Sequence, residues 1–266
     1  MTVVQHNPFD LSGRVALVTG AAPGGLGYFT AVGLASQGAT VVAADVPVRV
    51  HELNQTVEAV AEIAGIADAC SAATFDVSVE AEVEEAVQST VARLGKIDIL
   101  VHHAGVMLRR ETLETSVADW QRVIDINLTG TWLMARAVGR DMVTRGYGRI
   151  ITTSSVYADI VGPIPEPAYY ASKAGVANLT RGLASEWGRA GITVNCVAPG
   201  VFFPTRMTEA LAKDPRRLDE MAQRTLLGRL GDPAQDLSGT IIWLASDAAQ
   251  YVTGQVIYVD GGWTAW

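Results

Sequence analysis

The chain has 266 residues, of which 49% are apolar and 18% charged, so it can bury one large core and is not of the disordered class. A formal net charge of −8 argues against a nucleic-acid surface, which needs clustered excess Lys and Arg. No apolar run approaches the ~18 residues of a membrane span, and the polar tail Met1–Asp10 lacks an apolar signal segment, so a cytoplasmic protein with no membrane partner is expected.

In chain order, Arg14–Thr19 reads as a strand, followed by a glycine-rich turn and a helix over Tyr28–Ser36. Thr40–Ala44 is a second strand and Val48–Ala64 a helix. Ala73–Phe75 is a short strand ending at Asp76, and Ser78 reads as the N-cap of an acidic helix over Val79–Leu94. Ile97–Val101 is a strand, Ser116–Val143 largely helix, and Arg149–Thr153 a strand. Ala168–Trp187 is a helix, Thr193–Val197 a strand, Asp232-Pro233 a helix start, and Val256–Val259 the last strand. Alternating strands and helices with continuously apolar strands predict an α/β fold: a Rossmann-like, doubly wound parallel sheet of about seven strands in a single domain, 1–266, with helices on both faces. The stretch 201–231, mixing Phe202, Phe203, Pro204 and Met207 with charges, reads as a substrate lid.

Cys70 and Cys196 have no metal-ligand spacing, and Cys196 lies in the apolar run Ile192–Ala198, as a buried thiol does; no metal is expected. Thr19-Gly20-Ala21-Ala22-Pro23-Gly24-Gly25-Leu26-Gly27 follows the first strand and opens a helix, the setting in which a backbone approaches a pyrophosphate. Asp45, eighteen residues after Gly27, can accept hydrogen bonds from ribose hydroxyls and would repel a 2′-phosphate. NAD is therefore expected over NADP, with Arg49 as the residue that keeps NADP open. Asp76 closes the third strand at a rim where an adenine fits. Tyr169 and Lys173, at i and i+4, share one helix face, where an ammonium can lower a phenol's pKa.

Together these residues resemble the short-chain dehydrogenase/reductase family over roughly Leu11 to Gly262. Further markers are His102-His103-Ala104-Gly105, Asn127, Ser154-Ser155, Asn195, Pro199-Gly200, Tyr251-Val252-Thr253-Gly254 and Val259-Asp260-Gly261-Gly262. Four residues rather than three separate Gly20 from Gly25, two histidines stand where the family has Asn-Asn, and Ser155 lies fourteen rather than thirteen residues before Tyr169. The expected threonine after Pro199-Gly200 comes one place late, as Thr205. The histidines are expected to replace asparagine hydrogen bonds near the cofactor.

The resemblance implies a hydride transfer between a nicotinamide and a secondary alcohol or ketone, with Tyr169 as acid/base and Ser155 on the substrate oxygen. Lys173 would hold the nicotinamide ribose and lower the phenol's pKa, and Asn127 would hold a water leading to solvent. Gly20, Gly25, Leu26, Gly27, Asp45, Asp76, Val77, His103, Ala104, Gly105, Pro199, Gly200 and Thr205, with Tyr169 and Lys173, would line the cofactor. Arg109 and Arg110, near Glu111 and Trp120, look like the corresponding segment of sugar-acid members, where an arginine clamps a carboxylate. Arg206 and Phe202 are further substrate candidates. A polyol, sugar or sugar acid is the first expectation. The alternatives are a 3-oxoacyl-thioester reductase using NADPH and, from another class, a non-catalytic NAD-binding protein. The resemblance also implies a homotetramer or homodimer built on Ser116–Val143, Ala168–Trp187 and the last strand. Trp132, Trp263 and Trp266 would sit either in such interfaces or in the core.

Overall fold

The computed structural model describes residues 7–65 and 69–266. Seven parallel strands form one sheet in the order β3-β2-β1-β4-β5-β6-β7. They are β1 (Val15–Thr19), β2 (Thr40–Asp45), β3 (Cys70–Thr74), β4 (Ile99–His102), β5 (Gly148–Thr153), β6 (Ile192–Pro199) and β7 (Val256–Val259). Successive side chains leave a strand on opposite faces. Ala16 and Val18 accordingly enter one core with α1 (Leu26–Ser36), α2 (Val50–Ala64) and α8 (Ser238–Ala245). Leu17 enters the other, against α3 (Glu80–Leu94), α5 (Gly130–Arg145) and α6 (Pro167–Trp187). Burial on both faces is why the inner strands β1, β2 and β4 are largely apolar, whereas Ala72 and Thr74 on the edge strand β3 are exposed. β1 pairs with β2 on one side and β4 on the other, so the chain reverses its winding there and opens a crevice at the strands' carboxyl ends.

α4 (Val117–Ile124) runs into α5 through a π-helical turn, Asp125–Thr129. Within the stretch 201–231 lie a single 3-10 segment, Glu209–Lys213, and α7 (Pro215–Gln223). Its two ends are pinned together: Phe203 N donates to Gly231 O (2.9 Å) and Gly231 N to Val201 O (3.0 Å).

Three local expectations are corrected. Ser78 does not cap the acidic helix, because its hydroxyl and N–H both turn back to Asp76 Oδ1 (2.6 and 2.8 Å), leaving Val79 at the cap position. Asp232-Pro233 forms a turn rather than a helix start. Asp232 N donates to Asp236 Oδ2 (2.7 Å), and Asp232 Oδ1 accepts from Ala234 N (2.8 Å); these side-chain bonds compete with helix, which begins only at Ser238. The third strand spans Cys70–Thr74, and Phe75 turns into the core. Of the expected tail, residues 1–6 lie outside the described residues, while Pro8 O accepts from Ala248 N (3.1 Å), tying this end to the C-terminal segment. Trp263 is buried, whereas Trp132 and Trp266 are exposed. Among the described residues no helix is long and apolar enough to cross a membrane.

Candidate active site

A cavity of about 840 Å³ opens at the carboxyl ends of the strands. Its floor is the glycine loop between β1 and α1. Gly20 sits at φ +66°, and a Cβ on it would lie 3.0 Å from Ala104 N. A Cβ on Gly27 would strike the carbonyls of Thr19 and Gly20. The backbone is thus packed as closely as a pyrophosphate cradle requires, and Leu26 opens α1 directly behind it. The extra residue near Pro23-Gly24 is stapled from outside: Arg49 Nη2 donates to Pro23 O (2.9 Å) and Arg206 N to Gly24 O (2.7 Å). Gly25, Ala104, Gly105, Pro199, Gly200 and Thr205 also line the cavity. A dinucleotide fits this donor set and this glycine cradle.

At the adenosine end, Asp45 is not the open carboxylate that its position suggests. Oδ2 accepts from Ala22 N (3.0 Å), Oδ1 accepts from Val46 N (2.9 Å), and the Arg49 guanidinium stands 3.5 Å from Oδ2. Arg49 also pairs with Glu52 (2.6 Å). Asp76 lines the cavity and at the same time closes the Ser78 turn; Val77 lies beside it, packed on Gly130.

At the centre, Tyr169 and Lys173 come off one face of α6, both buried, with Lys173 Nζ 5.6 Å from the Tyr169 ring centroid. The Ser155 hydroxyl accepts from Tyr157 N (3.2 Å) and stands near enough to the Tyr169 phenol to lower its pKa. Ser154 points the other way, donating to Lys173 O (2.7 Å). Tyr170 leaves the site altogether, its hydroxyl donating to Ile164 O. Lys173 Nζ donates to Thr153 O (2.8 Å). Burial lowers Lys173 to about 8 and raises Tyr169 well above the usual phenol range, although Ser155 works the other way. Desolvation outweighs the Ser155 contribution and holds the phenol neutral, and the lowering expected from Lys173 is not among the influences on it.

Asn127 lies in the π-helical turn, a distortion that frequently marks functional sites. Its side chain holds the loop after β4: Oδ1 accepts from Val106 N (2.8 Å), and Nδ2 donates to Val106 O (2.9 Å) and Ser172 Oγ (3.0 Å). A Cβ on Gly105 would lie 3.2 Å from Asn127 Oδ1 and 3.6 Å from Lys173 Nζ, so the glycine lets these three groups meet.

The two histidines part company, as neighbours at a strand end do. His102 Nδ1 shares a hydrogen with Thr19 Oγ1 (2.9 Å), while its buried Nε2 has no partner among the described residues. His103 bridges Thr30 Oγ1 (2.9 Å) and Thr153 Oγ1 (2.8 Å). Burial, reinforced by the Lys173 charge, lowers both to about 3, so neither switches near neutral pH. Among the described residues no group of three or more His, Cys, Asp or Glu could hold a metal ion.

The substrate candidates separate. Arg109 lines the cavity, with Nε donating to Glu166 Oε1 (2.9 Å). Arg110 is not a clamp: it is turned away onto Asp119 (2.6 Å) by the capping turn of α4, outside the cavity wall. Arg206 sits over the glycine loop, paired with Glu52 (3.0 Å), at the cofactor end rather than the substrate end. Phe202 touches the cavity but is anchored in the core against Gly231. Thr205 Oγ1 is bonded to Thr208 Oγ1 (2.8 Å). Sequence reasoning missed Glu166 and Tyr157, which also line the cavity. Glu166 had a signal, since it stands three residues before Tyr169 and so on the same helix face.

A family model described as Enoyl-(Acyl carrier protein) reductase matches residues 20–264. The chain is 39% identical to 2-dehydro-3-deoxy-D-gluconate 5-dehydrogenase of Dickeya dadantii (strain 3937), over 97% of this chain and 98% of that one. It is also 39% identical to gluconate 5-dehydrogenase of Gluconobacter oxydans (strain 621H), over 96% of each. A crystal structure of a gluconate 5-dehydrogenase from Burkholderia cenocepacia J2315, in complex with NADP and tartrate, superposes with a TM-score of 0.89 at 39% identity, covering 97% of this chain and 98% of that one. Glycine cradle, buried Tyr169 and Lys173, and whole-length similarity agree: the chain belongs to the short-chain dehydrogenase/reductase family and is a dinucleotide-dependent oxidoreductase acting on CH–OH groups.

Proposed function

We propose that this enzyme interconverts a hydroxyl and a keto group on a sugar acid. The observation that carries this reading is Arg109, the one cavity-lining arginine placed beside Glu166 and the Tyr169 group, in a chain whose relatives are named for gluconate and dehydro-deoxy-gluconate. The family model's description names an acyl-carrier substrate, whereas the whole-length relatives named for gluconate and dehydro-deoxy-gluconate favour the sugar-acid reading.

Ser155 and Tyr169 hold the substrate oxygen between their hydroxyls. In reduction, neutral Tyr169 donates its proton to that oxygen; in oxidation it takes the proton back. Lys173, fixed by Thr153 O, would hold the nicotinamide ribose, and Asn127 keeps the loop 105–106 in register with it. A nicotinamide bound there would supply or accept the hydride for the substrate carbon. Arg109 pairs with the substrate carboxylate.

For the cofactor, we propose that both NAD and NADP are used. Asp45 retains lone pairs for ribose hydroxyls, and Arg49, beside it, meets a 2′-phosphate; neighbouring structures crystallised with NADP support this. We also propose assembly into a homotetramer through α5, α6 and the edge strand β7, with exposed Trp132 in the helical interface.

The test is reduced-cofactor absorbance with D-gluconate, related sugar acids and neutral polyols, using either dinucleotide and Tyr169→Phe as comparison. Turnover of a sugar acid is expected to drop by about 100-fold or more in the mutant, the usual weight of a general acid–base group. A wild type inert to sugar acids, or a mutant as active as the wild type, overturns the reading.

A further inference from the structure

Three polar side chains descend one face of α6 into the cavity, at i, i+3 and i+7: Glu166 at the cap position, then Tyr169, then Lys173. The mechanism above uses the last two and leaves Glu166 without a task. Its side chain is only 2% exposed, and a buried carboxylate is costly unless its oxygens are satisfied. Oε1 accepts from Arg109 Nε (2.9 Å); Oε2 has no hydrogen-bond donor among the described residues and is not one of their fully buried unpartnered atoms, so it opens to the cavity that Glu166 lines. Ile164, Met207 and Met221 line the same cavity and offer it no donor. The charged and titratable groups that act on this carboxylate or feel its charge are Arg109, Arg217, Tyr157, Tyr169 and Tyr170. Anchoring Arg109 explains one oxygen only.

Tyr169 marks where the reacting oxygen sits, and Glu166, three residues earlier at the cap position, lies about 4.5 Å of helical rise further out. That offset suits a group on the neighbouring carbon. We propose that Glu166 is a specificity-determining residue whose Oε2 accepts a hydrogen bond from a substrate hydroxyl adjacent to the reacting carbon, so that the site selects vicinal diols over simple secondary alcohols. The assignment rests on the proposed role of Tyr169 at the reacting oxygen. Arg109 completes it: by donating to Oε1 it fixes the carboxyl group's orientation and leaves Oε2 turned toward substrate.

The test compares kcat/KM for trans-cyclohexane-1,2-diol and for cyclohexanol, in wild type and Glu166→Gln. Glutamine can still accept from Arg109, but it then presents an amide N–H₂ where Oε2 was. The wild type is expected to prefer the diol. Glu166→Gln is expected to lower the diol-to-monool ratio about tenfold, chiefly through KM, as for the loss of one hydrogen bond to a charged group. Glu166→Met, of similar length and with no acceptor, repeats the measurement should the amide variant fold poorly; thermal melting and cofactor binding report folding for both. An unaltered ratio in a folded variant overturns the assignment, because a merely structural glutamate lowers both rates together. A wild type that turns over no secondary alcohol overturns the proposed function itself, and that failure is visible before any variant is made.

Discussion

Arg49→Ala separates the two cofactors. Arg49 is 16% exposed, and its guanidinium stands 3.5 Å from Asp45 Oδ2, 2.9 Å from Pro23 O and 2.6 Å from Glu52. A 2′-phosphate entering beside Asp45 meets that guanidinium. At a separation of ~4 Å and an effective dielectric constant of ~20, each unit charge pair contributes about 4 kcal/mol at most. Arg49 must loosen its hold on Glu52 to make the contact, so the net value falls to that of a charge-assisted hydrogen bond, about 1.5–3 kcal/mol. Arg49→Ala should therefore lower kcat/KM with NADP by about 10- to 150-fold. The NAD value, which gains nothing from a phosphate partner, should change by less than about threefold, the residue of a lost surface pairing. Initial rates with both dinucleotides at saturating alcohol measure this, with fluorescence titration of each reduced cofactor as the binding control. Arg49→Lys should retain part of the NADP rate. Equal losses with both dinucleotides would refute the argument, since they would mean that Arg49 acts only by holding the Pro23 turn.

Acid stability should report His102. Its folded pKa of about 3 lies below the ordinary 6.5, so between these values the unfolded chain binds a proton that the folded chain refuses. Stability is full above about pH 6.5 and falls on acidification by about 1.4 kcal/mol per pH unit from this group alone. His102→Asn should flatten melting temperature against pH below that point; parallel curves for the two proteins would remove the claim. Arg109→Ala should raise KM for D-gluconate about tenfold or more with a smaller effect on kcat, as loss of a carboxylate partner does. Arg110→Ala, on the Asp119 side, should leave both parameters alone; the reverse pattern would show that Arg110 swings into the site.

The strand pattern and the order of motifs were legible because each depends on local chemistry. Apolar runs give strands, glycines the tight turn after β1, and the i,i+4 step puts Tyr169 and Lys173 on one face. Choosing Ser155 over Ser154 was possible only as a matter of spacing, and the structure distinguishes them: Ser155 lowers the pKa of the Tyr169 phenol, whereas Ser154 donates to a helix carbonyl. The helix start expected at Asp232-Pro233 failed because Asp236 is drawn into bonds with Arg229 and Asp232, a competition between side chains that a cap-and-proline signal does not contain.

Charge partners were not legible at all. Arg109, Arg110 and Arg206 look alike in sequence, yet Glu166, Asp119 and Glu52 hold them in three places, only one of them at the substrate end. Electrostatics followed the same division. An i,i+4 ammonium predicts a lowered phenol, whereas burial on every side of Tyr169 raises it. The sequence by itself determined the doubly wound sheet, its glycine cradle and the helix face that Tyr169 and Lys173 share, since periodicity and short spacings carry that information. Only the tertiary structure decided that Arg109 lines the cavity paired with Glu166, that Arg49 stands beside Asp45, and that Glu166 shares the cavity with Tyr169, because desolvation and ion pairing depend on residues distant in the chain that packing alone brings together.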